Sequence, residues 1–248
     1  MRLLTLSLAA AALAVAQQPS LIIPHIADGG GWKTTVAVYS FSNARVTVTF
    51  RASDGSKLTL PINNRGLVSS LDVDMAPSTS IYLETSGSQP DVRVGWVQVD
   101  QPEGHTPVKG FAIFRQSVAG RPDFEAVSIG MRGSDSITFP FDNTNGFATG
   151  FAIVNLGSSD CTVGAGPIHD EFGTALTAET RMTGAFPANG HGAFLITDKM
   201  PELANRRGYL VFNVQGGCGP QGIAMVGLRF SPSGPFTNLL PLRTAIPF

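Results

Sequence analysis

Apolar residues recur along the chain in runs of strand length, and turn residues interrupt the runs before a helical period can develop. Residues 34–41, 45–52, 78–85, 92–100 and 108–116 are rich in Val, Ile, Phe and Thr, the residues that suit a pleated surface buried on one face. Asp54-Gly55 falls between the run 45–52 and the residues 57–60, and it predicts a two-residue type I′ hairpin, because Asp and Gly tolerate positive φ. In the second half of the chain, Gly190 and Gly192 flank His191 ahead of another short run at 193–196. Long amphipathic helical patterns do not occur. The exception is residues 198–205, where an Asp cap, an early Pro and a following Gly208 predict one or two helical turns.

The same pattern occurs twice. Gly31-Trp32-Lys33-Thr34-Thr35-Val36-Ala37 faces Gly146-Phe147-Ala148-Thr149-Gly150-Phe151-Ala152 at an offset of 115, and Gly95-Trp96-Val97 faces Gly208-Tyr209-Leu210 at 113. Phe111–Ser117, with Arg115, faces Met225–Ser231, with Arg229, at 114, and Phe124 faces Phe236 at 112. Matches that keep their order and spacing in this way predict two related modules, 21–131 and 138–248, formed by duplication. Seven or so short strands in each are best satisfied by an all-β fold of two tandem β-sandwiches, Ig-like or jelly-roll-like. The brief connector 132–135 predicts modules that touch and move little relative to each other. The pairing of Asp28-Gly29-Gly30-Gly31-Trp32 with Asp142-Asn143-Thr144-Asn145-Gly146-Phe147, preceded by Pro24 and Pro140, resembles an uncharacterised group of secreted bacterial proteins built from duplicated β-sandwich modules. The resemblance implies export and a repeated β fold; it brings no reaction, ligand or catalytic residue.

Composition narrows the function. With 17 basic and 18 acidic residues the formal charge is −1, which argues against a nucleic-acid binder held by phosphate contacts. The 28 glycines and 17 prolines fit many tight turns, and 43% hydrophobic content excludes an acidic disordered chain. Residues 1–16 have a basic start, an apolar stretch and a small-residue Ala14-Val15-Ala16 end, which predicts a cleaved secretory signal and no permanent transmembrane anchor. The terminal Phe248 suggests an outer-membrane barrel, but Pro241 and Pro247 would each remove a ladder donor from the strand that closes it. Cys161 and Cys218, 57 positions apart, are expected to form a disulfide in an oxidising compartment.

Candidate chemistry is sparse. The nucleophile-elbow, zinc-protease and phosphate-loop signatures are absent from the sequence. His25, His105, His169 and His191 are expected at turns or on the surface. His169-Asp170-Glu171 would gather an imidazole and two carboxylates if they form a loop, which makes them a weak ligand set. Asp28 and Asp142, expected at like positions, are weak calcium candidates, with Asx turns as the simpler account. Arg115 and Arg229, also expected to coincide, should pair with groups of their own modules. Trp32, Trp96, Tyr39 and Tyr82 could form a sugar-stacking platform, although Trp32 and Trp96 align with Phe147 and Tyr209 as repeated core positions would. The expectation is an exported non-catalytic structural, adhesive or protein-interaction protein without a cofactor. Its partner would be a protein or glycan at the cell surface, with self-association as a further possibility; the alternative is a carbohydrate-binding module or, less favoured, a hydrolase.

Overall fold

The computed structural model describes residues 21–102, 106–177 and 181–242. The expected signal 1–16, His105, Pro247 and Phe248 lie outside the described residues. None of the described helices is long and apolar enough to cross a membrane.

The alternation read from the sequence is the alternation of burial. In the strand Ala44–Ala52 (β3), Val46, Val48 and Phe50 are fully buried while Arg45 faces water. The first half also contains β1 (Leu21–Asp28), β2 (Trp32–Ser40), β4 (Leu60–Ile62), β5 (Gly66–Val68), β6 (Ser70–Met75), β7 (Thr79–Glu84), β8 (Arg93–Asp100), β9 (Lys109–Gln116) and β10 (Phe124–Ile129). Two antiparallel sheets, ordered β1-β8-β3-β6 and β10-β9-β2-β7, enclose a core of Ile23, Val36, Val48, Phe50, Leu83 and Val97.

The second half consists of β11 (Ser136–Asp142), β12 (Ala148–Asn155), β13 (Cys161–Asp170), β14 (Ala175–Thr177), β15 (Arg181–Phe186), β16 (His191–Leu195), β17 (Arg207–Gly216), β18 (Ile223–Phe230) and β19 (Phe236–Leu239). Its sheets run β11-β17-β13 with β14 and β15 both on β13, and β16-β12-β18-β19, around Phe139, Phe151, Ile153, Leu210 and Phe212. The strand order of the first half therefore recurs in the second. Cys161 and Cys218 are bonded to each other, with Cα atoms 4.4 Å apart, and both are fully buried in this second core. The predicted helical segment is a single turn, α1 (Ile196–Lys199), followed by a 3₁₀ turn at Pro201–Leu203, and its cap is Leu195, three residues before the expected Asp198.

Two buried threonines fix the crossing between sheets. Thr34 Oγ1 donates to the Ala27 carbonyl at 2.6 Å and accepts from the Ala27 N–H at 3.0 Å. Thr149 does the same to Asp142, at 3.0 and 2.8 Å. Each ties the end of one strand to the next across the turn between sheets, satisfying a donor and an acceptor that would otherwise be buried unpaired. This register corrects two sequence pairings. Ala27 corresponds to Asp142, so Asp28 stands opposite Asn143 in the comparison. Thr34 pairs Phe114 and Thr149 pairs Arg229, so Arg115 and Arg229 do not coincide. An alignment read on residue type alone slipped by one because both neighbouring positions carry plausible matches. The Asp54-Gly55 turn forms, with Gly55 at φ +85, but Asp54 is not at positive φ, so it is not type I′. Its far arm makes one bridge, Arg51 to Lys57, because β6 takes that edge of β3 from Thr49 back toward Ala44.

Gly95 and Gly208 sit where no side chain fits. A Cβ would lie 2.0 Å from the Arg51 carbonyl oxygen at Gly95 and 1.9 Å from that of His169 at Gly208. The aromatic that follows each packs on the same neighbour: the Arg51 guanidinium lies 5.5 Å over Trp96, and Tyr209 stacks on His169 at 4.9 Å. Gly208→Ala is expected to destabilise by about 2–3 kcal/mol through this overpacking, read as a lower melting temperature. Gly216→Ala in the same strand, whose Cβ would meet open space, should leave melting unchanged.

The halves meet along a closed seam. The outer face of β12 and β18, carrying Ala152, Val154, Ala224, Val226 and Leu228, lies against the flank of the first sandwich formed by β1 and β10. Ile22, Trp96, Phe114 and Ala126 pack into it from the first half, joined by Phe236 from the second.

Candidate functional site

The seam holds one polar cluster. His191, 5% exposed, begins β16, and His25 lies in β1, half-buried. Their rings stack at 5.2 Å, and His25 Nδ1 and His191 Nε2 share a hydrogen bond of 3.1 Å. The Ser53 hydroxyl bonds His191 Nδ1 at 3.1 Å, and the His191 N–H donates to the Ser53 carbonyl at 2.9 Å. The turn after β3 thus docks on the turn before β16, where the Trp96 indole N–H also donates to the Asn189 carbonyl at 3.1 Å. Removal from water pushes His25 down to about 4. Burial and then the charge of His25 push His191 down to about 3. Both imidazoles are therefore neutral near pH 7. This overturns the expectation of surface histidines: the two residues are 166 positions apart, and no local signal marks a partner at that separation.

The sequence-predicted sets do not come together as a ligand site. His169 and Asp170 lie in strand β13, and only Glu171 is in the turn beyond it. His169 stacks on Tyr209, Asp170 accepts from the N–H groups of Phe172 and Thr174, and Glu171 pairs with Arg207. The carboxylates of Asp28 and Asp142 are already engaged. Arg93 donates to Asp28 Oδ2 at 3.0 Å and the Gly87 N–H to Oδ1 at 2.9 Å. Asp142 Oδ1 forms an Asx turn with Thr144, and Oδ2 accepts from Arg229 at 2.7 Å. Burial pushes Asp142 up, but the bonds from Thr144 and Arg229 outweigh it and hold the carboxyl below its ordinary value. Among the described residues no three His, Cys, Asp or Glu side chains gather as a metal site. Arg115 pairs with Asp123, so each of the two arginines does find a carboxylate in its own half.

The aromatic candidates separate into two groups. Trp96 is 1% exposed in the seam and has no ring face open to a ligand, and Trp32 is half-buried there, 5.5 Å from Phe236. Tyr39 and Tyr82 instead share the free face of the β10-β9-β2-β7 sheet. Cross-strand register places Tyr82, Ala37, Phe111 and Ile129 in one row across all four strands, with Tyr82 64%, Phe111 37% and Ile129 47% exposed. Ala37, between two rings, is buried. The next row is Glu84, Thr35, Ile113 and Val127, and on the other side Tyr39 stands beside Lys109, its ring edge-on to exposed Phe41 at 4.6 Å. Lys33, bound to Glu84 at 2.5 Å, holds that carboxyl below its ordinary value with help from Thr35 and Asn63, and gives the face a polar margin. Phe111 and Ile129 escaped the sequence reading because strand pairing alone brings them into line with Tyr82.

The corresponding face of the second half, at the register of Ala152 and Val226, is the one packed into the seam. One sheet face thus occurs twice, once covered by a neighbouring sandwich and once open. Comparison with known proteins gives no match for this chain among family models, curated proteins or solved structures.

Proposed function

We propose that the chain is an exported, non-catalytic interaction protein of duplicated β-sandwich build, and that it engages a partner protein through the free face of the β10-β9-β2-β7 sheet. The observation that supports this is the exposed row Tyr82, Phe111 and Ile129, on a face whose counterpart in the second half is a protein-docking surface. Large apolar side chains grouped on one face mark interaction surfaces, and Tyr and Phe bring much contact area with little rotamer entropy to lose. A second reading, a glycan at the same face, is favoured by Tyr82 and Phe111. They stand two strands apart, roughly 10 Å, on either side of a flat alanine, as stacking on successive sugar rings requires.

Labelled residues 17–248 applied to the producing cells, with binding read by cytometry, test both. Tyr82→Ser with Phe111→Ser should leave melting almost unchanged, since both side chains are exposed, and weaken binding about 30-fold, the worth of losing one interface anchor. Pretreating the cells with protease abolishes binding on the first reading, and periodate abolishes it on the second. Equal binding by the double variant would refute both.

A further inference from the structure

We infer that the cleft where the two halves diverge is a binding site for an amphipathic anion, an acyl chain that ends in a carboxylate. The cleft, about 620 Å³, opens beside β10 at the margin of the free face. That volume lies within the range of small-molecule sites, which favour such junctions. Its walls are Val127, Ile129 and Met131 from the first half and the segment after it, and Met225 and Leu240 from the second. Leu21 forms part of the wall because Gly130 and Gly110 leave room for it: a Cβ would come within 2.5 and 2.9 Å of its methyl groups.

Three of the lining side chains, Ile129, Leu240 and Leu242, are 47%, 55% and 49% exposed, and Val127 and Leu239 beside them are half-buried. Covering them with a chain of methylenes would remove apolar surface from water. Among the described residues the charged lining side chains are Lys109 and Arg132, with no carboxylate beside them. Among the described residues neither is in a salt bridge, as is also true of Arg65, Arg121 and Arg206. Mainly apolar walls, with Ser134, Ser136 and Asn238 as neutral polar members and only cations among their described charges, call for a ligand with a long apolar body and one anionic end. A planar guanidinium receives a carboxylate by two parallel bonds. A sugar phosphate would leave the walls wet, and a neutral hydrocarbon would leave the cations unused.

The test is calorimetric titration of residues 17–248 with laurate below its micelle concentration, with dodecanol as the uncharged comparison. Laurate should bind, with dodecanol at least tenfold weaker. Lys109→Ala with Arg132→Ala should cost laurate about tenfold, the worth of a charge-assisted bond, and leave dodecanol unchanged. Ile129→Asp, at an exposed position that folding tolerates, should weaken both. No laurate binding, equal affinity for the two probes, or laurate affinity unaffected by the three substitutions would overturn the assignment. Tyr82→Ser, on the free face away from the cleft, should bind laurate as the parent does, which keeps this result separate from that of the proposed partner surface.

Discussion

Lowering the pH from 7.5 to 5 is expected to cost the chain about 2–4 kcal/mol of folding stability, a large share of what a domain ordinarily has. The cause is the histidine pair at the seam. An unfolded chain takes up a proton on each imidazole near pH 6.5, whereas the folded chain holds His25 neutral down to about 4 and His191 down to about 3. Between those limits the unfolded state binds more protons than the folded one, so stability is fully present above the unfolded value and declines as the pH falls. Each histidine contributes about 1.4 kcal/mol per pH unit at most. Protonating both would also place two positive charges on rings 5.2 Å apart. His191→Gln keeps a donor and an acceptor at the site, and it should roughly halve the slope of melting temperature against pH. Glu84 and Asp142, whose carboxyls are held low, lose their contribution in a separate and more acid window. Asp100, which burial pushes up, works against them. A melting temperature that stays flat from pH 7.5 to 5 would refute this account of the seam.

Removing the disulfide should cost about as much by a different route. Cys161→Ala with Cys218→Ala frees a loop spanning 57 positions, which in the chain-entropy account lowers stability by about 4 kcal/mol. The two sulfurs are also buried in the second core, so the alanines leave space where Val163 and Phe186 pack. Urea midpoints of parent and double variant, measured without reductant, give the difference directly. Reductant should bring the parent toward the variant and leave the variant where it is; coincident midpoints would refute the prediction.

Much of the architecture was legible because it depends on local pattern. The alternation in Arg45-Val46-Thr47-Val48 dictates which side of β3 is buried whatever strand lies beside it, and the recurrence of Gly-Trp and Gly-Tyr marked two places where a backbone must pass close. The pairing of Cys161 with Cys218 agrees with the even count of two cysteines. The site was harder to read. The His25–His191 bond and the row through Tyr82, Phe111 and Ile129 exist only after strands distant in the chain have paired, and pairing is a property of the whole sheet. The one-residue slip at Asp28 and Asp142 has the same origin: residue type suggested a match, and the threonine bonds that set the register were invisible until both sheets were in place.

The seam also dictates a timetable. A chain made from its N-terminus completes β10 at Ile129, but the residues that cover the seam are complete only when Phe236 emerges. The intervening stretch of roughly 100 residues takes on the order of 5–20 s to synthesise. Throughout that interval Ile22, Trp96, Phe114 and Ala126 are an uncovered apolar flank on a half that already has its own core. The first half therefore emerges with this flank open, and the second half covers it from within the same chain.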